Sequence, residues 1–285
     1  MTRSPAQPAI RFLSVAFAAL AFAAVSAAQG TNPNYVPSQE QQQDQNQQLK
    51  MRQMNQSPTD VSTKADSAEE AAYKQFYLSS PQDLDKRIRL GEAFVQKYPL
   101  SRYAESVYAA LTRAYSAKQD WKNFYARADK ALALNPDDAA VLVIVGWMIP
   151  HEYNPQNADA AKSLDQAESY EKHALEIIPK MPKPANMTDD QFAQSKSALL
   201  AEAHSGLGLV YFRRQDSEDS VKELEQAMQL AASPDPTDLF VLGLELQSLN
   251  RFTDAADAFN RCGQMPGALQ DHCKQSADAA KKQEK

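Results

Sequence analysis

One histidine–glutamate pair begins like a zinc-protease motif, but the motif is not completed. His151 and Glu152 open the pattern H-E-x-x-H, in which two histidines one helical turn apart hold a zinc ion. Pro155 stands where the second histidine must be, so the sequence argues against a zinc site. No other histidine has a partner at ligand spacing: these are His173, His204 and His272.

No other pattern indicates catalysis. The sequence contains no nucleophile motif, phosphate loop or dinucleotide fingerprint, and glycine is scarce, with 8 in 285 residues. The acidic pairs 137–138 and 189–190 are interpreted as helix-start charges that favour the helix dipole, rather than as catalytic carboxylates. We therefore expect a protein that is not an enzyme, with no cofactor, no metal and no evident small-molecule substrate.

The first 28 residues are typical of a secretory signal peptide. Two arginines supply a basic start, and residues 12–25 form an apolar run that is too short to span a bilayer comfortably. Ser26 and Ala28 are small residues at cleavage spacing. We expect a periplasmic or extracellular protein; an uncleaved segment that anchors the chain in a membrane is the alternative.

Charge and composition limit the class of partner. The chain has a net charge of −6, which argues against nucleic acid and against anionic membrane surfaces. Residues 39–56 are nearly all glutamine, asparagine and charged residues, which cannot bury enough apolar surface to offset the entropy of ordering. We expect a disordered linker over 29–65 and a folded helical domain over 66–285.

The folded part repeats a helical pattern. The segment 105–138 sets the pattern, and further units begin near Ala139, Ala201 and Pro236. Large residues alternate with small ones at fixed places in each unit. The marker positions are Tyr108, Leu111, Tyr115, Ala131 and Pro136, then Leu142, Gly146, Ala167 and Ala174, then Leu207, Gly208, Tyr211 and Ala227, then Leu242, Gly243, Leu246, Ala255 and Phe259.

This pattern resembles the tetratricopeptide repeat (TPR) family, whose 34-residue unit carries W-x2-L-G-x2-Y in a first helix and A-x3-F in a second helix before a proline. The first unit departs from it at Thr112, Phe124 and Ala128. The resemblance implies an all-α fold, a right-handed superhelix of four to five stacked antiparallel helix pairs, closed by a capping helix over 268–282. A generic bundle of alanine-rich helices is the alternative.

Two further signals mark helix starts, and one segment resembles a subgroup of the family. Ser80 and Pro81 predict a helix start, and Thr188 with Gln191 predicts a capping box ahead of a long helix. The segment 94–105, FVQKYPLSRYAE, is similar to the linker between repeats in periplasmic TPR proteins of outer-membrane assembly and Tol–Pal coordination. That similarity favours a role in the cell envelope.

The resemblance also implies a binding surface, because the first helices of TPR pairs form the inner wall of the superhelix. One stripe of these helices presents apolar side chains, with Arg113 and Arg213 as polar anchors. We predict an extended, partly apolar peptide ligand; the alternative is that these residues are ordinary inter-helix core. The predicted partner-binding residues are Arg113, Val143, Trp147, Leu209, Phe212, Arg213, Phe240 and Leu244.

The two cysteines of the chain, Cys262 and Cys273, are predicted to form a disulfide. Export favours pairing of an even number of cysteines. Cys262 lies at the small-residue site that faces the next helix, and the turn 263–267 brings that helix back antiparallel. Two free or buried thiols are the alternative, whereas ten intervening residues argue against a catalytic redox pair.

These observations together predict a non-catalytic scaffold of the cell envelope that binds a protein or peptide partner through its inner face. The alternative is a structural assembly or oligomerisation factor that packs on copies of itself or on an envelope complex. The sequence does not identify the partner.

Overall fold

The computed structural model describes residues 67–283, and this part of the chain is built from helices. The expected signal peptide (1–28) and linker (29–65) lie outside the described residues. The described helices belong to one compact unit. They are α1 (Ser67–Tyr77), α2 (Leu84–Lys97), α3 (Ala104–Ala117), α4 (Trp121–Leu134), α5 (Ala139–His151), α6 (Ala160–Ile177, followed by a 3-10 turn, Ile178–Lys180), α7 (Asp189–Arg214), α8 (Ser217–Leu230), α9 (Pro236–Ser248), α10 (Phe252–Gly263) and α11 (Gln270–Gln283).

Each odd-numbered helix packs on the even-numbered helix that follows it, and the pairs stack in series. Contacts between α7 and α8 show that a pair is antiparallel. The Ser197 hydroxyl, early in α7, donates to the carbonyl of Leu230 at the end of α8 at 2.9 Å. Later in α7, the carbonyl of Gly208 accepts from Ser220, near the start of α8, at 2.9 Å. The predicted all-α, TPR-like arrangement of helix pairs is therefore confirmed over the described residues, and α11 closes the series after five pairs.

Close approach within a pair depends on the glycine sites of the repeat pattern. A Cβ atom on Gly208 of α7 would lie 2.6 Å from Cγ of Leu224. A Cβ atom on Gly243 of α9 would lie 2.5 Å from Cε1 of Phe259. Because both distances are shorter than van der Waals contact, a side chain at either site would force the two helices apart.

Side-chain caps fix most helix starts, and one of them corrects a sequence-based boundary. Thr188 Oγ1 accepts from the backbone N–H of Gln191 at 3.2 Å, and the Gln191 side chain accepts from Thr188 N–H at 3.0 Å, which confirms the capping box. In contrast, α2 does not begin at Ser80 or Pro81. Asp83 accepts from Lys86 N–H at 3.2 Å, so the cap falls at Asp83 and the helix begins at the next residue.

None of the helices in the described range 67–283 combines the length and the apolar character that crossing a membrane requires.

Candidate functional site

Four of the predicted contact residues lie together on the odd-numbered helices. Trp147 of α5, Phe212 of α7, and Phe240 and Leu244 of α9 are all partly buried and pack against one hydrophobic cluster. Leu209 of α7 belongs to the buried part of that cluster. The structure thus joins three successive first helices into one apolar surface, which we call the aromatic face and define by Trp147, Phe212, Phe240 and Leu244.

The other predicted contact residues do not form part of this face. Val143 and Leu209 are 0% and 4% exposed, so both are core residues; Leu209 lies in the cluster beneath the aromatic face and Val143 in a separate buried cluster. Arg113 is exposed on α3, outside the cluster that carries the aromatic face. Whether the aromatic face binds a partner stays a prediction.

A chain of hydrogen bonds crosses the first helices beneath the aromatic face. The indole N–H of Trp147 on α5 donates to Ser205 Oγ on α7 at 3.0 Å. The Ser205 hydroxyl in turn donates to Asp238 Oδ1 on α9 at 2.8 Å. Each of these side chains comes from a different helix pair, so the chain fixes the relative positions of three pairs and the orientation of the indole ring.

Asp238 is an acid in an apolar setting. It is 4% exposed, and this burial raises its pKa to about 7 even though the Ser205 hydrogen bond favours the charged form. A carboxyl group that is readily protonated near neutral pH is easier to bury, because the neutral form has a smaller desolvation cost.

His151 and Arg213 hold the end of α5 next to the aromatic face. His151 Nδ1 lies 2.8 Å from the carbonyl of Trp147, and its ring centroid lies 3.8 Å from that of Trp147. Burial lowers the pKa of His151, which favours the neutral ring. Arg213 Nε donates to the carbonyl of Pro150 at 2.9 Å, and its guanidinium lies over Phe212. Arg213 therefore has a structural contact that the sequence did not predict.

Glu171 is the most unusual buried group that sequence reasoning missed. It is fully buried in α6, and neither carboxyl oxygen has a hydrogen-bond partner in the described part of the chain. Its side chain occupies the space beside Gly146 of α5 and Gly206 of α7, since a Cβ atom on either glycine would clash with it. Burial, with a smaller contribution from Glu202, raises the pKa of Glu171 well above its usual value.

A comparison of the repeats contains the signal that would have found Glu171. Gly208 faces Leu224 and Gly243 faces Phe259, whereas Gly146 faces Glu171. An acid therefore stands at a position where the next two pairs have a large apolar residue. Asp238 gave no such signal, because acids are common in the first turn of a helix.

The cysteines lie at the far end of the series from α1. Cys262 of α10 and Cys273 of α11 are both fully buried, and the structure places them as a bonded pair with their Cα atoms 5.7 Å apart. That separation lies in the usual range for disulfides. Within residues 67–283, no group of three or more His, Cys, Asp or Glu side chains is arranged to hold a metal ion.

Comparisons with known proteins match the chain by structure alone. No protein-family model matches the chain, and no curated protein matches it. Among solved structures, the chain is similar to TTC0263, a thermophilic TPR protein of Thermus thermophilus, with 17% sequence identity and a TM-score of 0.47. The match covers 74% of this chain and 98% of that one.

Proposed function

We propose that this protein is a non-catalytic interaction scaffold of the cell envelope, which binds an extended, partly apolar peptide segment of a partner along the aromatic face. The observation that carries the proposal is the continuity of this face across α5, α7 and α9. Trp147, Phe212, Phe240 and Leu244 keep part of their surface open while resting on one buried cluster. Aromatic side chains held rigidly in this way are typical of binding hot spots.

The hydrogen bonds beneath the face support the same proposal. Trp147 is fixed by Ser205 on one side and by His151 on the other. A ring held in place before binding loses little conformational entropy when a ligand packs on it, so more of the contact energy appears as affinity.

An array of synthetic peptides that vary in apolar content tests this function. The double variant Phe212→Ala/Phe240→Ala should bind apolar peptides at least about tenfold more weakly than the unchanged protein, with helicity retained. Leu78→Ala is the matched control, because Leu78 is 68% exposed and lies outside the aromatic face. Unchanged peptide binding by the double variant would refute the proposal, and loss of helicity would show that the two rings are core.

Light scattering on the purified domain separates the peptide scaffold from the self-assembly factor. A monomer with an accessible aromatic face agrees with peptide binding. A stable oligomer that dissociates when Phe212 and Phe240 are replaced would instead favour self-assembly through the same face.

We also infer that the chain is exported and that cleavage follows residue 28. The support is the signal-like start and the proximity of Cys262 and Cys273, which suits an oxidising compartment. Intact-mass measurement of protein from the periplasm or the medium should give a mature chain that begins at Gln29. A full-length chain in the membrane fraction would support the anchored alternative.

A further inference from the structure

A cavity separate from the aromatic face lies between the second helices of two neighbouring pairs. It has a volume of about 320 Å³ and opens to solvent between α4 and α6, with Leu142 of α5 among its lining residues. The helices α4 and α6 make little contact with each other, which leaves this space unfilled. The volume falls at the lower end of the range for sites that hold small ligands or single side chains.

The cavity contains one acid without a partner. Asp129 of α4 lines it and is nine-tenths buried, with 9% of its surface exposed. Among the described residues, no hydrogen bond or ion pair reaches its carboxyl group. A buried carboxylate without a partner is costly, so a site of this kind favours any ligand that brings hydrogen-bond donors and positive charge.

The other lining groups favour a cation with an apolar body. Leu132, Pro136 and Leu142 supply apolar wall, and no lysine or arginine lines the cavity. Tyr170 lies near Asp129, and its hydroxyl accepts from Gln166 Nε2 at 2.8 Å, which leaves the hydroxyl hydrogen free to reach a ligand or Asp129.

The rim adds a second negative charge. His173 Nε2 lies 2.7 Å from Asp137 Oδ1, so the imidazole N–H is directed at that carboxylate and not into the cavity. Lys172, the lysine beside His173 in α6, pairs with Glu168. Lys130 acts on Asp129 from the same helix but does not line the cavity, so the carboxylates at the cavity favour a cation over an anion.

We propose that this cavity, which we call the Asp129 pocket, binds the primary ammonium group of an alkylamine or of a lysine side chain, with the ammonium on Asp129 and the carbon chain on the apolar wall. A charge-assisted hydrogen bond to a buried carboxylate is among the stronger polar contacts available to a small ligand. The site is independent of the aromatic face, so either can be present without the other.

The test measures binding of the probe n-pentylammonium to the full-length protein, by calorimetry and by NMR shifts of residues in α4 and α6. We expect saturable one-to-one binding with a Kd on the order of millimolar, since the probe has few heavy atoms. 1-Pentanol and pentanoate are the matched ligands, because they keep the carbon chain but lack the positive charge. Equal binding of pentanol, or no saturable binding of pentylammonium, would overturn the proposal.

Two variants locate the binding. Asp129→Asn keeps the shape and removes the charge, and it should weaken pentylammonium about ten- to a hundredfold. Ala133→Leu extends a wall residue into the cavity and should block binding without touching Asp129. Asp257→Asn, at an exposed acid on α10, is the control. Binding that Asp129→Asn leaves unchanged in a folded protein would overturn the proposal.

The pH dependence gives a further readout. Burial raises the pKa of Asp129 to about 7, while Lys130 on the same helix lowers it slightly. Facing groups are Tyr170 and His173 on α6 and Asp137 at the rim. Because the ammonium binds the charged carboxylate, affinity should rise between pH 6 and 8, roughly in step with deprotonation of Asp129. A pH-independent affinity would contradict binding at Asp129.

A blocked tripeptide, acetyl-Gly-Lys-Gly-amide, distinguishes the two sources of the ammonium group. If the peptide binds as well as pentylammonium, the pocket accepts a lysine side chain of a protein partner. If pentylammonium alone binds, the pocket is specific for a free amine. Either result supports the proposal, and failure of both probes overturns it.

Discussion

Glu171 and Leu224 occupy equivalent places in two consecutive helix pairs, each against the glycine site of its own first helix. Leu224 fills that space with carbon, whereas Glu171 brings two oxygens that find no partner in the described structure. An unpartnered buried carboxyl group opposes folding even when neutral, and more strongly when charged. Glu171 therefore destabilises the pair α5–α6, and the surrounding apolar contacts offset that cost.

Replacing Glu171 by methionine should raise the free energy of unfolding by about 1–3 kcal/mol at pH 8. The unbranched, flexible methionine can follow the path of the glutamate side chain between Gly146 and Gly206. Urea unfolding at constant pH measures the difference.

Glu171→Gln is the matched control for that prediction. It keeps polar atoms in the same place, so it should recover less stability than methionine, although it removes the ionisable proton. If methionine proves less stable than glutamine, then the carboxyl group has a favourable partner in solution and the burial argument is wrong.

The long helix α7 has two halves of different character. Its buried residues begin at Ala201, whereas residues from Asp189 to Leu200 are exposed or partly exposed. Tertiary packing therefore holds the second half. The first half has fewer tertiary contacts, among them the hydrogen bond from Ser197 to Leu230, and it depends more on local signals, chiefly the Thr188–Gln191 capping box.

Thr188→Ala should cost about 1 kcal/mol, and the loss should be local. Hydrogen exchange of amides 190–198 should quicken, while amides beyond Ala201 stay as protected as before. Gln194→Ala, at an exposed position in the same half of α7, is a suitable control. Faster exchange throughout α7 would show that the two halves unfold together.

The terminal helix α11 packs mainly on α10, because the described series ends there. Removing both cysteines (Cys262→Ala with Cys273→Ala) should lower stability by at most about 3 kcal/mol, the chain-entropy limit for so short a ring. The loss should appear first as faster hydrogen exchange in α11. Intact mass after alkylation, with and without reductant, gives the oxidation state directly, and two alkylated thiols in the unreduced protein would rule the bridge out.

Buried acids give the whole molecule a characteristic dependence on pH. Burial raises the pKa of Asp129 and of Asp238 to about 7, and it raises that of Glu171 well above its usual value. For Glu168, burial alone would raise the pKa, but hydrogen bonds from Lys172 and Arg214 lower it to about 2. The acids with raised pKa values and Glu168 therefore change the stability of the fold in opposite directions as the pH rises.

These four acids together should make the protein most stable near pH 4, where most of the contribution of Glu168 is present and the loss from the three raised acids begins. An acid whose pKa is raised in the folded state contributes stability that is fully present below its unfolded-state pKa, near 4. That stability is lost as the pH rises from about 4 to 7. The lowered pKa of Glu168 contributes stability that is lost as pH falls from about 4.5 towards 2. Thermal unfolding from pH 3 to 9 should therefore show a maximum, with a loss of about 1 kcal/mol or more per raised acid by pH 8.

Asp129→Asn and Asp238→Asn should each flatten the alkaline side of this profile. A stability that increases steadily from pH 5 to pH 8 would contradict the burial of these acids.

The repeat architecture and several helix starts follow from the sequence by itself. Helical periodicity, glycines at recurring sites and capping residues such as Thr188 are local signals, and each acts over a few residues or one repeat length. They predicted antiparallel helix pairs in series, the capping box of α7 and the placement of Cys262 beside Cys273. The start of α2 was predicted too early, because the cap at Asp83 competes with the Ser80–Pro81 signal.

Tertiary structure alone decided which side chains are accessible. Val143 and Trp147 belong to one helical stripe, yet Val143 is completely buried, whereas Trp147 is only partly buried and its indole N–H is hydrogen-bonded to Ser205. Likewise, Arg213 is directed to Pro150, and Asp129 lines a cavity that exists because α4 and α6 stay apart. Burial depends on what a distant segment places over a residue, and that information lies in the packing of helices far apart in the chain.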